Sequence, residues 1–233
     1  MSYIRLFFKE SLSINLISKL DKSQSHYLYK VMRASIGTSF SVFNQCGEWE
    51  AKIKEINKGI IEFLVTKKLR SSSNEKEIWL AFAPIKLNYL NLMIQKATEL
   101  GVTRFIPILT ERTIVRKLND ARLKKIIIEA SEQSHRLKVP RLDKIIKLEN
   151  FLNSNKNTNI IFGDLNSNKT EINIKAKDPL CILIGPEGDF SIKERQNILS
   201  HKNITSLKIN KNILRSETAA ISMISIVSYE LLS

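Results

Sequence analysis

The sequence predicts an α/β fold with a largely parallel sheet, preceded by a smaller domain built mostly of strands. Three features carry that expectation. Up to about residue 70, apolar residues partly alternate in short β-branched and aromatic runs. From residue 78 onward, short apolar runs alternate with segments of helical period, the pattern of strands joined by crossover helices. Between the two lies "RSSSNEKE", Arg70 to Glu77, polar throughout and rich in Ser. The expected organisation is a β domain at 1–70, a linker at 71–77 and an α/β domain at 78–233.

In the first part "YIRLFF", "TSFSVFN", "EWEAKIKEI" and "GIIEFLVTKKL" read as strands, with turns at Gly37, Gly47 and Gly59. One helix interrupts them from Asp21 to Arg33, with Asp21 as N-cap. In the second part "IWLAFAPI" is a strand. "LNYLNLMIQKATELG" is a helix with Leu90, Met93, Ile94, Ala97 and Leu100 on one face and Gly101 just past its end. "RFIPIL" is a strand, and "NDARLKKIIIEASEQSHRL" a helix with Leu123, Ile126, Ile127, Ala130 and Ser134 on one side. "NIIFGD" and "CILIG" are short buried strands. "SIKERQNILS" opens with Ser191 and Glu194 at capping-box spacing. "ITSLKI" is the last strand and "SETAAISMISIVSYELL" the last helix.

Charge and composition narrow the function. The 37 Lys and Arg against 23 Asp and Glu leave a formal charge of +14, which favours a polyanion such as nucleic acid as partner. Cys46 and Cys181 lie far apart, and the three histidines form no ligand pattern with them, so no metal site and no disulfide is expected. No apolar run reaches the ~18 residues of a membrane span, and Arg5 and Lys9 break any signal-peptide core, which points to the cytoplasm.

Three turns carry unusual chemistry, each placed to follow a strand of the parallel sheet, where such folds bind ligands. They are "FGD" at Phe162 to Asp164, "GPEG" at Gly185 to Gly188, and "NKNILRSETA" at Asn210 to Ala219. In GPEG, Gly185 and Gly188 are expected to hold positive φ or to let a ligand reach the backbone, with Pro186 stiffening the turn. Neither a Walker-type nor a dinucleotide-binding glycine pattern is present. Ser216 is expected to cap the last helix with Glu217 in its first turn. Arg215 is a cation where the helix dipole disfavours one, so it is expected to meet an anion such as Glu187, a phosphate or a ligand carboxylate. Ile213 and Leu214 beside it suggest an apolar slot for a base or an adenine ring.

"ATELGV", "TER", "EASEQSHRLKVP", "LIGPEGDFS" and "ILRSETAA", in this order and at these intervals, resemble the bacterial 16S ribosomal RNA uracil-N3 methyltransferases, across essentially the whole chain. These belong to the SPOUT class. The resemblance implies a knotted α/β domain preceded by a PUA-like β-barrel that binds RNA, a homodimer, and S-adenosylmethionine held by the GPEG turn and the loop before the last helix. Carried over, Gly163, Gly185, Glu187, Gly188, Ile209 and Leu214 contact the cofactor, and Arg215 and Glu187 shape the catalytic end. Arg33, Arg112, Gln133 and Arg136 bind the RNA, which is 16S ribosomal RNA or the small ribosomal subunit. Two departures from the family pattern stand out: Asp189 where another Gly is usual, and "INKN" at Ile209 to Asn212, which lacks the usual Gly and basic residue.

Other readings stay open at this point. They are ribose 2′-O-methylation by a related SPOUT enzyme, RNA binding without catalysis, and an α/β enzyme with a nucleotide cofactor. On the last helix, Ile221, Ile224, Val227 and Leu231 form an apolar stripe that would join two copies or pack on the helix's own sheet.

Overall fold

The computed structural model describes residues 4–72, 75–171 and 179–231. It comprises two compact units, Met1–Asn74 with Ser131–Val139, and Glu75–Ala130 with Pro140–Ser233.

The first unit contains β1 (Arg5–Phe7), β2 (Ile17–Lys19), α1 (Lys22–His26), β3 (Ser39–Asn44), β4 (Gly47–Asn57) and β5 (Ile60–Ser71). The sheet order is β1-β3-β4-β5-β2, antiparallel except for the parallel β1–β3 pair. Alternation sends Phe40, Val42, Ala51, Ile53, Ile61, Phe63 and Val65 into one core with Leu6, Leu20, Leu28 and Trp49. Asp21 caps α1 as expected, accepting from the Gln24 amide at 2.8 Å, and the helix runs on through a π turn at Tyr27–Val31. β2 was not legible in the sequence: three residues of a half-exposed edge strand carry too little pattern.

The segment Ser131–Val139 completes this unit through a buried polar network. Glu48 receives the Arg5 guanidinium at 3.0 Å, the Arg70 guanidinium at 2.7 Å and the Ser41 hydroxyl at 2.7 Å. Arg5 also donates to the Ser131 carbonyl at 2.8 Å and to the Arg136 carbonyl at 2.5 Å, and its charge lies 3.5 Å above the Phe43 ring. Arg70 donates to the His135 carbonyl, and the Phe7 amide donates to Glu132. A fragment of residues 1–70 lacks all these outer partners. Its circular-dichroism melt is therefore expected well below that of the same unit in the full chain, since a buried guanidinium stripped of acceptors is costly.

The second unit contains β6 (Ile78–Phe82), α2 (Leu87–Glu99), β7 (Arg104–Leu109), most of α3 (Asp120–Gln133), β8 (Arg141–Leu142), β9 (Ile146–Lys147), α4 (Leu148–Ser154), β10 (Asn159–Gly163), β11 (Leu180–Ile184), α5 (Ile192–Leu199), β12 (Ile204–Leu207) and α6 (Ser216–Glu230). The strands are parallel in the order β12-β10-β11-β6-β7-β8, with β9 pairing β7. Strand alternation divides the core. Ala81, Ile106, Ile108, Phe162, Cys181 and Leu183 meet Phe151 and Leu152 of α4 and Ile198 of α5. Leu80, Phe82, Ile182 and Ile184 point to the other face, where α6 packs on β11 and on α2.

Several expectations need correction. The helix predicted to run through Leu137 stops at Gln133, and His135 beyond it takes φ +60, which no helix continues. β8, β9 and α4 were not anticipated, because the two strands are two residues each and "LENFLNS" has barely two turns of pattern. Gly101 does adopt φ +103 just after α2, as its position implied. Ile224 and Val227 of the α6 stripe are fully buried in the unit's own core, so packing on the sheet accounts for them. Ile224→Glu therefore buries an unpaired charge and is expected to unfold the domain, read as loss of the cooperative thermal transition, rather than to separate two folded copies.

Candidate active-site cleft

All three turns singled out above meet in one cleft of the second unit. Its walls come from Gly163–Leu165, Ile184–Glu187 with Asp189, Leu207–Asn210, Asn212–Leu214, Ser216 and Ala219. The cause is topological. β12, β10 and β11 are neighbouring parallel strands, so their carboxyl ends open on the same edge of the sheet.

The GPEG turn is built by close packing rather than by unusual dihedrals. Neither Gly185 nor Gly188 has positive φ, so of the two expected reasons for glycine in this pair only close approach is left. Gly185 is required by space: a Cβ there would stand 2.7 Å from the Phe190 ring, which is itself buried edge-on against Phe162. At Gly188 a Cβ would meet only Arg112, at an ordinary 3.7 Å. The left-handed residue of this loop is Asp189, φ +59, the position where the resembled family usually has Gly. Its carboxylate accepts from the following amide, that of Phe190, at 2.7 Å, the local bond that lets Asp hold this conformation. The Asp189 amide donates to the Pro186 carbonyl at 3.0 Å, closing the turn.

Neighbouring groups hold the turn in place. The Ser216 hydroxyl donates to the Gly185 carbonyl at 3.0 Å. Ser216 is thus the first residue of α6 and Arg215 its N-cap, a correction to the expected Ser216 cap: the hydroxyl is committed to the strand end instead. Arg112 donates to the Gly188 carbonyl at 2.8 Å, and the Glu111 amide donates to Glu194 at 2.8 Å. Ser191 and Glu194 form the expected capping box of α5. In the FGD turn, buried Asp164 receives the Arg195 guanidinium through both oxygens, at 3.1 and 2.8 Å, and this pairing raises the Arg195 pKa.

Of the two residues expected to shape the catalytic end, Glu187 lines the cleft and Arg215 lies between Leu214 and Ser216, which line it. Arg215 and Glu187 are both exposed. Arg215 sits 5.3 Å from the Tyr89 ring centroid, and donation to the Tyr89 oxygen, with the charges of Glu217 and Glu187 behind it, holds the guanidinium above its ordinary pKa. Of the anions expected opposite Arg215, Glu187 acts on it through charge without a direct ion pair, and the Tyr89 ring lies against the guanidinium. Ile213 is 83% exposed at the tip of its loop, an apolar side chain that the fold itself does not use. Leu214, Ile209 and Gly163 line the walls. Cys181 is no nucleophile: burial pushes its thiol up to about 12. No group of three or more His, Cys, Asp or Glu able to hold a metal occurs among the described residues.

Of the predicted RNA-binding residues, Arg33, Gln133 and Arg136 belong to the first unit and Arg112 to the second. Arg112 braces the GPEG turn through the Gly188 carbonyl, Gln133 is exposed at the end of α3, and Arg33 is exposed. Arg136 is only 8% exposed. Tyr89 and Arg195 were missed; Tyr89 read as an ordinary helix residue, since nothing local announces that a distant loop will deliver Arg215 to it.

An open parallel sheet with a ligand cleft beyond three adjacent strand ends defines an α/β enzyme domain. A model of the RNA methyltransferase domain matches residues 72–228, and a model of the RNA methyltransferase PUA domain matches residues 20–66. The chain is 33% identical over 232 residues to ribosomal RNA small subunit methyltransferase E of Rickettsia conorii, covering 96% of this chain and 94% of that protein. The enzyme of the same name from Aquifex aeolicus is 27% identical, over 96% of this chain and 99% of its own. Among solved structures, the Neisseria gonorrhoeae ribosomal RNA small subunit methyltransferase E bound to S-adenosyl methionine superposes with TM-score 0.89 at 25% identity, covering 97% of each chain. The chain belongs to the RNA methyltransferase family, with an α/β methyltransferase domain and a PUA domain.

Proposed function

We propose that this protein methylates N3 of a specific uridine in 16S ribosomal RNA, using S-adenosylmethionine. The observation that carries the reading is the convergence of the three turns on one cleft in a chain of this family. The relatives named for small-subunit ribosomal RNA and the neighbour bound to S-adenosyl methionine support it. The cleft fits that cofactor. Apolar walls from Ile184, Leu207, Ile209 and Leu214 suit an adenine ring, the exposed Ile213 supplies a cover, and Glu187 and Asp189 offer carboxylates to a cationic ligand.

When bound, S-adenosylmethionine supplies an electrophilic methyl group. The protein's residues do the rest. Gly163 and Gly185 keep the backbone bare where the ligand lies, and the Ser216 and Arg112 bonds fix the turn that carries Glu187. The uracil N3 proton must leave; Glu187 accepts it or orients Arg215. Arg215, held cationic, stabilises the negative charge that builds on the uracil ring. Arg215→Ala is expected to lower kcat by roughly 100-fold or more with the Kd for S-adenosylmethionine within about threefold, read by tritium transfer and calorimetry. An unchanged kcat would remove Arg215 from the chemistry.

A homodimer and the knotted path of the C-terminal domain belong to the same proposal. The outer face of α6 presents Ser225 and Tyr229. Tyr229→Glu is expected to yield folded monomers in light scattering at micromolar concentration, because a two-fold contact meets each introduced charge twice.

A further inference from the structure

We propose that the first unit contains a nucleobase-stacking groove, lined by Tyr29, Lys30 and Arg33, that takes an unpaired base of single-stranded RNA. The groove is lined by Tyr29, Lys30, Arg33, Ala34, Ile36 and Ile56, with Ser35 at its edge. Tyr29 is 39% and Ile36 65% exposed, so an aromatic and an aliphatic wall stand open to solvent. Buried Ala34 and half-buried Ile56 supply an apolar floor.

Local structure forces this arrangement. Leu28 is completely buried and anchors the π turn, which turns its neighbours Tyr27 and Tyr29 outward. The Met32 amide closes the turn on the Tyr27 carbonyl, and the Ala34 amide reaches the Leu28 carbonyl, both at 2.9 Å. Arg33 between them takes φ +53, a costly conformation for a long side chain, and stays exposed at the groove.

The charge identifies the occupant. No carboxylate lines the groove, and the sequence from Lys22 to Gly47 contains no Asp or Glu at all. The Lys30 ammonium lies over the Tyr29 ring, 4.5 Å from its centroid, so a cation sits on one face of the ring. An aromatic ring with one cation on it and a second, Arg33, lining the same apolar groove matches a base that brings its own phosphates. Base-paired RNA presents no free ring face to such a surface, so a single strand is the substrate class. This inference rests on the chain acting on RNA, but not on the methyl transfer itself.

The test uses the full chain and a fluorescein-labelled single-stranded RNA 12-mer of mixed sequence, read by anisotropy. Tyr29→Ala is expected to weaken binding roughly 5- to 150-fold, and Tyr29→Phe to restore it. Tyr29→Leu keeps apolar bulk without a ring and should behave like Tyr29→Ala, which separates stacking from a packing defect. Arg33→Ala should weaken binding and make the slope of log affinity against log salt shallower by about 0.7. An abasic strand of equal length should bind the unaltered protein as weakly as the base-carrying strand binds Tyr29→Ala. Equal affinity of Tyr29→Leu and Tyr29→Phe, of the abasic and normal strands, or of duplex and single strand, would overturn the groove. S-adenosylmethionine titration of the same proteins keeps the two questions apart. Absence of cofactor binding in the unaltered protein would end the methyltransferase reading while the RNA measurements still judge the groove.

Discussion

Gly185→Val is expected to cost S-adenosylmethionine affinity at least tenfold, about 1.4 kcal/mol, while Gly188→Ala changes it by less than about threefold. Both glycines lie in the same four-residue turn, and sequence alone would rank them equally. The packing separates them. A Cβ at position 185 meets the Phe190 ring at 2.7 and 2.9 Å, and Phe190 cannot retreat because Phe162 supports it 5.4 Å away. Either the ring or the turn must move, at a cost of about 1–3 kcal/mol in stability. Movement of the turn also shifts the Gly185 carbonyl from the Ser216 hydroxyl, which joins two walls of the cleft. Calorimetric titration with the cofactor and a thermal melt of each variant check the pair. Equal affinities for Gly185→Val and the unaltered protein would show that the turn does not shape the cofactor site.

Glu48→Gln is expected to destabilise the first unit by about 3–5 kcal/mol, lowering its melting temperature by roughly 12 °C or more. Glu48 and Arg5 have side chains 6% and 2% exposed, so the variant strips a buried guanidinium of the carboxylate directly paired with it. Burial pushes the Glu48 pKa up, but the Ser41 hydroxyl and the charges of Arg5 and Arg70 outweigh it and hold the carboxyl below its ordinary value of 4.5. A depressed carboxylate contributes its stability above that ordinary value and loses it as pH falls through the folded value. Acid titration of the unaltered protein should therefore show a loss of stability below about pH 4.5 that is shallower in Glu48→Gln. The double replacement Arg5→Met with Glu48→Leu should recover much of the loss, since apolar substitutes for a buried pair are often neutral. A Glu48→Gln melt within about 2 °C of the unaltered protein would contradict the network's role.

The sequence made the parallel sheet and the three site turns legible because they rest on strong local signals. Four apolar residues running into GPEG, and a helix of small residues after ILRSETAA, specify strand ends and helix starts without tertiary help. What stayed hidden depends on distance. Arg5 reads as one more surface cation until Glu48, Ser131 and Arg136 close around it from positions 43 to 131 residues away. Ser216 has every local mark of an N-cap, yet a carbonyl 31 residues earlier claims its hydroxyl. The α6 stripe shows its period plainly, but the period cannot say whether another copy or its own sheet receives it. Asp189 is the opposite case: a departure from the family pattern whose left-handed backbone explains why Gly is usual there and how Asp substitutes.

The decisive measurement is nucleoside mass spectrometry of 16S ribosomal RNA after unmethylated small subunits are incubated with the protein and S-adenosylmethionine. One N3-methyluridine per RNA molecule is the predicted product, absent when Arg215→Ala replaces the unaltered chain. A methyl group on ribose, or no methyl transfer by protein that binds the cofactor, would contradict it.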